Sequence, residues 1–284
     1  MATREVLRLS DGRDLEYARN AADLTRAVIF HQGTLADLSV WDSWLAELEV
    51  RSIGAISFNR SGYANSSALP GRRTVDVGRD VAELADDLAV SDFVSVGWSG
   101  GGSHALATGL DPRCRGVVTL AGIAPFDQDD LDFYEGLKAD DVAEYLAALN
   151  SVEELIELMR RPGHGEQWCE PDARALASPE MAELREATAT CTSFGLGCLR
   201  DDYGAYLSPW GFDVGDLEVP VELFQGDLDE NVPIGHARWL ERHIPGSRLR
   251  LYPGEGHLSL VARHRGEIVA SAVALLEGVE PGEE

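Results

Sequence analysis

The sequence predicts an α/β fold in which a mostly parallel, doubly wound sheet of about eight strands carries helices on both faces. Two observations support this prediction. From residue 26 onward, short runs rich in Val, Ile, Leu and Phe alternate with helical patterns, and such alternation produces parallel strands. Two earlier strand-like runs flank the turn dipeptide Asp11-Gly12 and predict an antiparallel hairpin at one edge of the sheet. A chain of 284 residues is long enough for this core and one insertion.

The predicted elements follow the chain in a regular order. The strand-like segments are 5–9, 14–19, 27–30, 53–58, 93–96, 116–121, 219–224 and 248–252. The helical segments are 38–49, 75–89, 100–110, 234–243 and 259–277. From the third strand onward a helix or the insertion separates each strand from the next. Such crossover connections join parallel strands.

Residues 125–208 interrupt the alternation. They contain acidic helical stretches without a convincing buried strand, at 129–147, 151–161 and 179–190. Because this segment leaves after one strand and returns before the next, we expect it to lie over the sheet end where loops gather, as a helical cap or lid. The alternative is a helical excursion packed against the side of the core. The core domain would comprise residues 1–124 and 209–284.

Composition and charge argue against several classes of protein. Hydrophobic residues make up 44% and charged residues 26% of the chain, as in ordinary globular proteins. The 24 Lys and Arg against 49 Asp and Glu give a net charge of −25, which repels phosphate backbones and anionic lipids. We therefore expect neither nucleic acid nor a membrane as a partner. The sequence start lacks a basic stretch followed by an apolar run, and no apolar segment of about 18 residues occurs, so a soluble, cytoplasmic protein is predicted.

The sequence lacks the common cofactor and metal motifs. No G-x-G-x-x-G follows the first core strand, and neither G-K-[ST] nor H-E-x-x-H occurs, so we predict no nucleotide cofactor and no metal. The four cysteines are irregularly spaced and form no C-x-x-C pair. Reduced thiols are the simplest interpretation, with a bridge between Cys191 and Cys198 or a metal site as alternatives.

The pentapeptide Gly97-Trp98-Ser99-Gly100-Gly101 lies between a predicted strand and a predicted helix start. In a G-x-S-x-G elbow the glycines lack Cβ atoms, so the strand and helix approach closely while the serine adopts a strained backbone and projects its Oγ. The pentapeptide alone is a weak signal in a chain with 29 glycines, but its position makes the signal strong. The alternative interpretation is a glycine-rich turn with an inert serine.

A nucleophilic serine needs an imidazole to take its proton and a carboxylate to fix the tautomer of that ring. Two later predicted strands run into loops that contain such residues. Asp227 and Asp229 follow the strand 219–224, and His257 follows the strand 248–252. Both loops are expected at the carboxyl ends of their strands, on the sheet edge where Ser99 also lies.

Position distinguishes His257 from the other six of the seven histidines. His104 lies on the helix after the elbow, where it either lines the substrate pocket or packs within the helix layer. We take His104 and Trp98 as candidate pocket residues. His236 falls in a helical surface pattern and is expected in solvent, whereas His164, in a loop of the insertion, could contact substrate.

These motifs resemble those of a known family. The chain is similar to the α/β-hydrolase fold superfamily over nearly its whole length, and particularly to actinobacterial hydrolases with a G-x-S-G-G-G elbow and an A-G-x-A-P segment, which fall here on 97–102 and 121–125. The order Ser, Asp, His is the one expected of this fold. The acid-loop pattern of the family, G-x-x-D-x-x-V-P, falls on 226–233 and implies that Asp229 rather than Asp227 orients the histidine.

The resemblance also implies where an oxyanion would bind. An acyl-transfer site needs hydrogen-bond donors for the oxyanion, and the backbone N–H of Gly100 is expected to be one of them. The loop His31-Gln32-Gly33-Thr34 resembles the H-G-x turn of the family, which makes the N–H of Thr34 the second donor, although Gln32 stands where the family usually has histidine. Serine at the elbow argues against epoxide hydrolase and haloalkane dehalogenase chemistry, because those members carry aspartate there.

Together these features predict a serine hydrolase that cleaves a small carboxylic ester, thioester or lactone through an acyl-enzyme. Its partner would be a small-molecule substrate, and the sequence does not indicate an oligomeric state. An amide hydrolase resembling proline iminopeptidases and a C–C bond hydrolase are alternatives that share the triad. A non-hydrolytic biosynthetic enzyme or a small-molecule receptor on the same fold is a further alternative, because fold does not fix function.

Overall fold

A computed structural model describes residues 2–126 and 128–279 of the chain. Its centre is a single sheet of eight strands, as the sequence predicts. The strands are β1 (Thr3–Arg8), β2 (Asp14–Arg19), β3 (Arg26–His31), β4 (Gly54–Phe58), β5 (Asp92–Trp98), β6 (Cys114–Leu120), β7 (Val221–Gly226) and β8 (Arg248–Tyr252).

The sheet is mostly parallel, with spatial order β1-β2-β4-β3-β5-β6-β7-β8. The pairs β1–β2 and β2–β4 are antiparallel, and the remaining neighbours are parallel. The hairpin turn between β1 and β2 contains Gly12 at φ 87°, a conformation that glycine adopts without steric strain. Every residue of β4 and of β7 is buried, because helices cover both faces of the parallel part.

Eleven α-helices lie within the described residues. They are α1 (Asp42–Val50), α2 (Val77–Asp87), α3 (Gly100–Thr108), α4 (Ala139–Asn150), α5 (Val152–Met159), α6 (Glu170–Leu176), α7 (Ala182–Ser193), α8 (Cys198–Leu207), α9 (Ile234–His243), α10 (Ser259–Arg263) and α11 (Arg265–Glu277). Short 3₁₀ helices are found at Leu38–Trp41, Thr74–Asp76, Pro179–Met181 and Val214–Asp216. None of the helices in the described ranges combines the length and apolarity that a membrane crossing requires.

Two apolar clusters hold the helices against the sheet. One contains residues of α2, α3 and α9, such as Val81, Leu106 and Leu240. The other contains residues of α1 and α11, such as Leu48 and Leu275. The clusters lie on opposite faces because successive side chains of a strand alternate in direction. The result is the doubly wound arrangement that the alternation of strands and helices predicts.

Helices α4 to α8 lie between β6 and β7, within the segment predicted to be an insertion. Residues of α4, α5, α7 and α8 and of the segment before α4 form a third apolar cluster, which the core residue Tyr63 joins and which includes Phe133, Tyr145, Leu155 and Leu199. Ala175 of α6 and Ala187 of α7 pack instead in the cluster of α1 and α11. The third cluster is what a small cap with a core of its own would have, whereas α6 and part of α7 pack with the core. The division into a core and a cap stays a hypothesis.

The helix bounds differ from the predicted ones in three places. The predicted helix 129–147 begins only at Ala139, because Gly136 at φ 86° keeps the preceding segment out of a helical path. The predicted helix 259–277 divides into α10 and α11 at His264, whose φ of −107° and ψ of 18° depart from helical values. Helices α6 and α8 are not predicted at all.

Phe30 provides a test of this packing. Its side chain is 1% exposed, and its ring lies 4.8 Å from that of Trp41 and 5.9 Å from that of Trp44, measured between centroids. We expect Phe30→Ala to lower the free energy of unfolding by about 3–5 kcal/mol, since the truncation leaves a cavity between β3 and α1. Urea denaturation measures the change. The control Val50→Ala, at a residue 87% exposed, should stay within about 0.5 kcal/mol of wild type, and an equal loss in both variants would contradict the prediction.

Candidate active site

Ser99 occupies a sharp turn between β5 and α3. Its backbone angles are φ 55° and ψ −128°, which lie outside the regions that L-residues favour. The residues around it must be glycines because there is no space for a side chain. A Cβ on Gly97 would overlap the carbonyl oxygen of Gly101 and lie 2.7 Å from the Cβ of Ala105, and a Cβ on Gly101 would overlap the carbonyl oxygen of His31. The glycine spacing therefore lets strand and helix meet closely enough to present the serine.

Glycine is required at position 100 for a different steric reason, which involves a residue of the insertion. A Cβ at this position would overlap the hydroxyl of Tyr206, on α8, and lie 2.7 Å from Oγ1 of Thr34. The Tyr206 hydroxyl and Thr34 Oγ1 are 2.9 Å apart. Helix α8 therefore reaches the residue next to Ser99 and the loop that follows β3.

The loop after β7 folds around the carboxylate of Asp229. Oδ1 accepts hydrogen bonds from the backbone N–H of Asn231 at 2.9 Å and of Val232 at 2.8 Å, and Oδ2 lies 2.8 Å from Nδ1 of His257. Because a carboxylate only accepts, Nδ1 of the histidine donates this bond and Nε2 is left to accept a proton. Asp227 instead accepts a bond from the N–H of Gly254 at 2.7 Å and links the two loops.

His257 is 4% exposed and packs against the indole of Trp98, with 5.4 Å between ring centroids. Burial disfavours a charge on its imidazole, but the charge and hydrogen bond of Asp229 outweigh burial, and the carboxylates of Asp172 and Asp141 add to the field. The pKa of His257 is therefore raised above the ordinary value for histidine. The raised pKa favours the imidazolium that forms when the ring accepts a proton.

Ser99 and His257 line the same cavity, of about 560 Å³, although the described contacts include no hydrogen bond from Ser99 Oγ to His257. Such bonds are commonly long before substrate binds and shorten in the reacting complex. Trp98, Thr34 and Gly100 also line this cavity. The structure therefore brings the predicted nucleophile, base and oxyanion donors to one cavity, with the predicted acid behind the base.

The insertion supplies a large part of the cavity wall. Half of its fourteen lining residues are apolar or aromatic, such as Tyr145, Met159, Trp168, Leu176 and Leu184. Six are polar or charged, among them Lys138, Asp141 and His164. Burial raises the pKa of Asp141 to about 7 against the opposing charge of Lys138. A predominantly apolar cavity with a few placed polar groups is typical of a small-molecule site.

The structure decides between the two placements expected for His104 and corrects the one expected for His236. His104 is fully buried and is not among the described residues that line the cavity. Its Nε2 is 2.7 Å from the guanidinium of Arg72 and its Nδ1 is 2.9 Å from the carbonyl oxygen of Gly100, so Nε2 accepts and Nδ1 donates. Burial and the nearby arginines lower the pKa of His104 well below its ordinary value. His236, expected in solvent, is 2% exposed and bonded to the backbone of Phe133 and Ala124.

A buried carboxylate on α8, Asp202, ties the insertion to the core. Its oxygens receive bonds from Arg60, at 2.6 Å, and from Arg72, which are core residues. The hydroxyl of Tyr206 donates to the same carboxylate at 3.0 Å. Burial alone would raise the pKa of Asp202, but the two guanidinium groups hold it well below its ordinary range.

The loop after β3 lies directly against the nucleophile. A Cβ on Gly33 would be only 3.3 Å from the Cβ of Ser99, so this loop borders the site as the resemblance implies. The first N–H groups of a helix have no partner within it, which leaves the N–H of Gly100 available to a ligand. His31, in contrast, is fully buried, 3.3 Å from Ser95 Oγ, and its pKa is lowered to about 3 by burial.

Sequence reasoning missed the residues that join the insertion to the site. Asp202 and Tyr206 lie on α8, where nothing separates a buried aspartate from the many solvated ones of an acidic segment. Arg60 lies in a loop after β4 that looks mainly architectural. For α6 there was a usable signal, since Pro171 is at a position in the first turn where helices favour proline.

Within residues 2–126 and 128–279 no three or more His, Cys, Asp or Glu side chains are grouped as metal ligands would be. The sulfurs of Cys191 and Cys198 lie 4.0 Å apart in the apolar cluster of the insertion.

A family model described as the alpha/beta hydrolase fold matches residues 26–262, which is most of the chain. The chain belongs to the α/β-hydrolase fold family. Solved structures agree with this family fold. An esterase from Exiguobacterium antarcticum superposes with a TM-score of 0.76 at 18% identity, over 97% of this chain and 100% of that one. A hydrolase from Pseudomonas aeruginosa PA01 gives 0.72 at 22% identity, over 98% and 99%.

Two curated relatives each share 25% identity with this α/β-hydrolase over the matched segment. The pimeloyl-[acyl-carrier protein] methyl ester esterase of Nitrosomonas europaea is 25% identical over 249 residues, which cover 86% of this chain and 91% of that protein. The "Probable esterase D14L" of Oryza sativa subsp. japonica is 25% identical over 187 residues. That match covers 63% of this chain and 64% of the rice protein.

The Asp202 network of this α/β-hydrolase can be tested by stability. We expect Asp202→Asn to lower the free energy of unfolding by about 3–5 kcal/mol, because it leaves two buried guanidinium groups without a counter-charge. The measurement is urea denaturation at neutral pH. The control Glu170→Gln removes an exposed partner of Arg174, a pair with side chains 71% and 63% exposed. Such a pair contributes about 0–1 kcal/mol, so equal effects of the two substitutions would count against the network.

Proposed function

We propose that this α/β-hydrolase is a serine hydrolase that cleaves a small carboxylic ester, thioester or lactone through an acyl-enzyme. The observation that carries the proposal is the buried Asp229–His257 pair, joined at 2.8 Å, whose ring lines the cavity into which the strained elbow presents Ser99. A hydroxyl, an imidazole and a carboxylate in this relation are the groups that acyl transfer requires.

The proposed reaction has two half-reactions with the same proton path. Ser99 Oγ attacks the carbonyl carbon and gives its proton to Nε2 of His257, while Asp229 holds Nδ1–H and stabilises the imidazolium. The N–H groups of Gly100 and Thr34 bind the oxyanion of the tetrahedral intermediate. Collapse of that intermediate expels the alcohol or thiol, which takes the proton from His257, and leaves an ester on Ser99. Water then attacks that ester by the same route and releases the acid.

The size of the cavity favours a small molecule as the substrate, and kinship favours an ester. A cavity of about 560 Å³ is within the range of small-molecule sites. Both curated relatives are named as esterases, one of them for a methyl ester, which supports ester hydrolysis over amide or C–C bond hydrolysis. A cytoplasmic location stays a prediction.

The nucleophile is tested by an active-site-directed fluorophosphonate and by p-nitrophenyl esters of increasing acyl length, with a proline anilide for comparison. We expect the wild-type protein to be labelled and to hydrolyse the short esters. Ser99→Ala should abolish labelling and reduce kcat by a factor of about 10⁶, the scale seen when a nucleophilic serine is removed. The control Ser193→Ala, at an exposed position, should behave as wild type. Labelling that persists in Ser99→Ala would remove this residue from its role.

A second test is the acid limb of the pH profile, which is the pH range in which kcat/KM rises. His257 must be neutral to accept a proton, so kcat/KM should rise with pH through the pKa of this residue. Asp229 binds the imidazole, and the charges of Asp172 and Asp141 add to its field, so its pKa is raised despite burial. Asp141, whose own pKa is about 7, titrates in the same range. We therefore expect the limb above the ordinary histidine value of about 6.5. Two esters with different leaving groups should give the same limb, and a limb below that value for both would contradict the assignment.

A further inference from the structure

Asp172, on helix α6 of the insertion, binds the backbone of the loop that carries His257. Its Oδ2 accepts the N–H of His257 at 2.8 Å. Its Oδ1 accepts the N–H of Leu258 at 2.8 Å and that of Ser259 at 2.9 Å. One carboxylate therefore fixes three consecutive peptide groups, and the first belongs to the proposed base.

The contact is buried and closely fitted. Asp172 is 1% exposed, so water does not compete for its oxygens. Gly256, the residue before the histidine, is what lets the carboxylate come so near, because a Cβ there would lie 2.5 Å from both of its oxygens. Hydrogen bonds to a charged acceptor are about twice as strong as neutral ones.

The backbone next to His257 gains from such an anchor because its own sequence restrains it little. Gly254 has φ 81°, and Gly256 follows two residues later, so two flexible positions precede the histidine. The Asp229 bond fixes Nδ1 of the ring but not the peptide from which the ring projects. The direction in which Nε2 points depends on both.

We propose that Asp172 is a positioning residue for the reaction, which holds the peptide of His257 so that Nε2 faces Ser99. The inference rests on the proposed function and deepens it, since it makes helix α6 of the insertion a part of the catalytic apparatus. The negative charge of Asp172 also favours the imidazolium that forms during each proton transfer, together with the charges of Asp229 and Asp141 that face the ring.

The test compares two substitutions on the same helix. Asp172→Asn removes the charge and replaces one acceptor oxygen by an NH2 group, which cannot accept from the backbone N–H groups. Glu170→Gln removes one charge from an exposed side chain of α6. In Asp172→Asn we expect kcat for a p-nitrophenyl ester to fall about 10- to 100-fold with KM changed less than about threefold, the scale of a small misplacement of a reacting group. The acid limb should also move to lower pH. Glu170→Gln should match wild type in kcat, in KM and in the position of the acid limb.

A second pair of variants keeps the inference testable if Asp172→Asn does not fold. Gly256→Ala leaves the charge in place but presses a methyl group against the carboxylate, so we expect a loss of kcat without a shift of the acid limb. Gly266→Ala, where a Cβ meets nothing within 4 Å, is the matched control. Wild-type kcat in Gly256→Ala, or a thermally destabilised Asp172→Asn with wild-type kcat and pH profile, would overturn the proposal and reduce Asp172 to a structural contact.

A measurement without turnover separates this inference from the proposed function. The pKa of His257 and the exchange rates of the amides of residues 257–259 are read by NMR on the full-length protein, in wild type and in Asp172→Asn. If wild type hydrolyses no ester, the proposed function fails by itself. The anchor fails if the histidine pKa and the amide protection are the same in both proteins, whether or not esters are cleaved.

Discussion

The site depends on one constraint of the sheet, which is that β5 to β8 run in the same direction and end at one edge. Ser99, Asp229 and His257 each follow the carboxyl end of one of these strands. Since neighbouring strands are about 4.8 Å apart, β5 and β8 are separated by roughly 14 Å, too far for a serine and a histidine placed directly at the two strand ends. The loop after β8 must therefore fold back across β7.

Gly226, at the end of β7, makes that return possible. A Cβ there would overlap the carbonyl oxygen of Glu255, and the N–H of Leu228 donates to the same oxygen at 2.9 Å. The loop thus packs directly on the end of β7, beside Asp229, and places the ring of His257 against Trp98. These contacts hold the loop as far as Glu255, and the peptide N–H groups of residues 257–259 beyond it are bound by the buried carboxylate of Asp172 from another element.

How much of the fold and of the site could be predicted depends on whether the deciding residues are close together in the sequence. The elbow can be predicted from five consecutive residues, because close packing of a strand on a helix dictates glycines at fixed offsets from Ser99. The strands can be predicted because fully buried parallel strands are continuous apolar runs. The role of Asp229 cannot be predicted from its loop alone, because two aspartates lie there. Only the family pattern favours Asp229 over Asp227.

The contacts made by the insertion are beyond sequence reasoning. An aspartate in an acidic segment looks solvated, and its role depends on distant partners, as Asp202 depends on Arg60 and Arg72. His236 shows the same limit, because a histidine on an amphipathic helix lies in solvent or in the core according to what packs over it. The insertion supplies that cover here, with the carbonyl oxygen of Phe133 3.1 Å from the ring.

The insertion is joined to the core by charges that are unfavourable to separate. Asp202 is fully buried with two arginines, and Asp172 is buried with three backbone N–H groups. To lift α8 away would leave buried guanidinium groups unpaired, at a cost of about 3–5 kcal/mol, a large fraction of the stability of a domain. To lift α6 would expose the loop of His257. The same contacts that build the site therefore oppose a rigid opening of the whole insertion, and they make α6 and α8 parts of its wall.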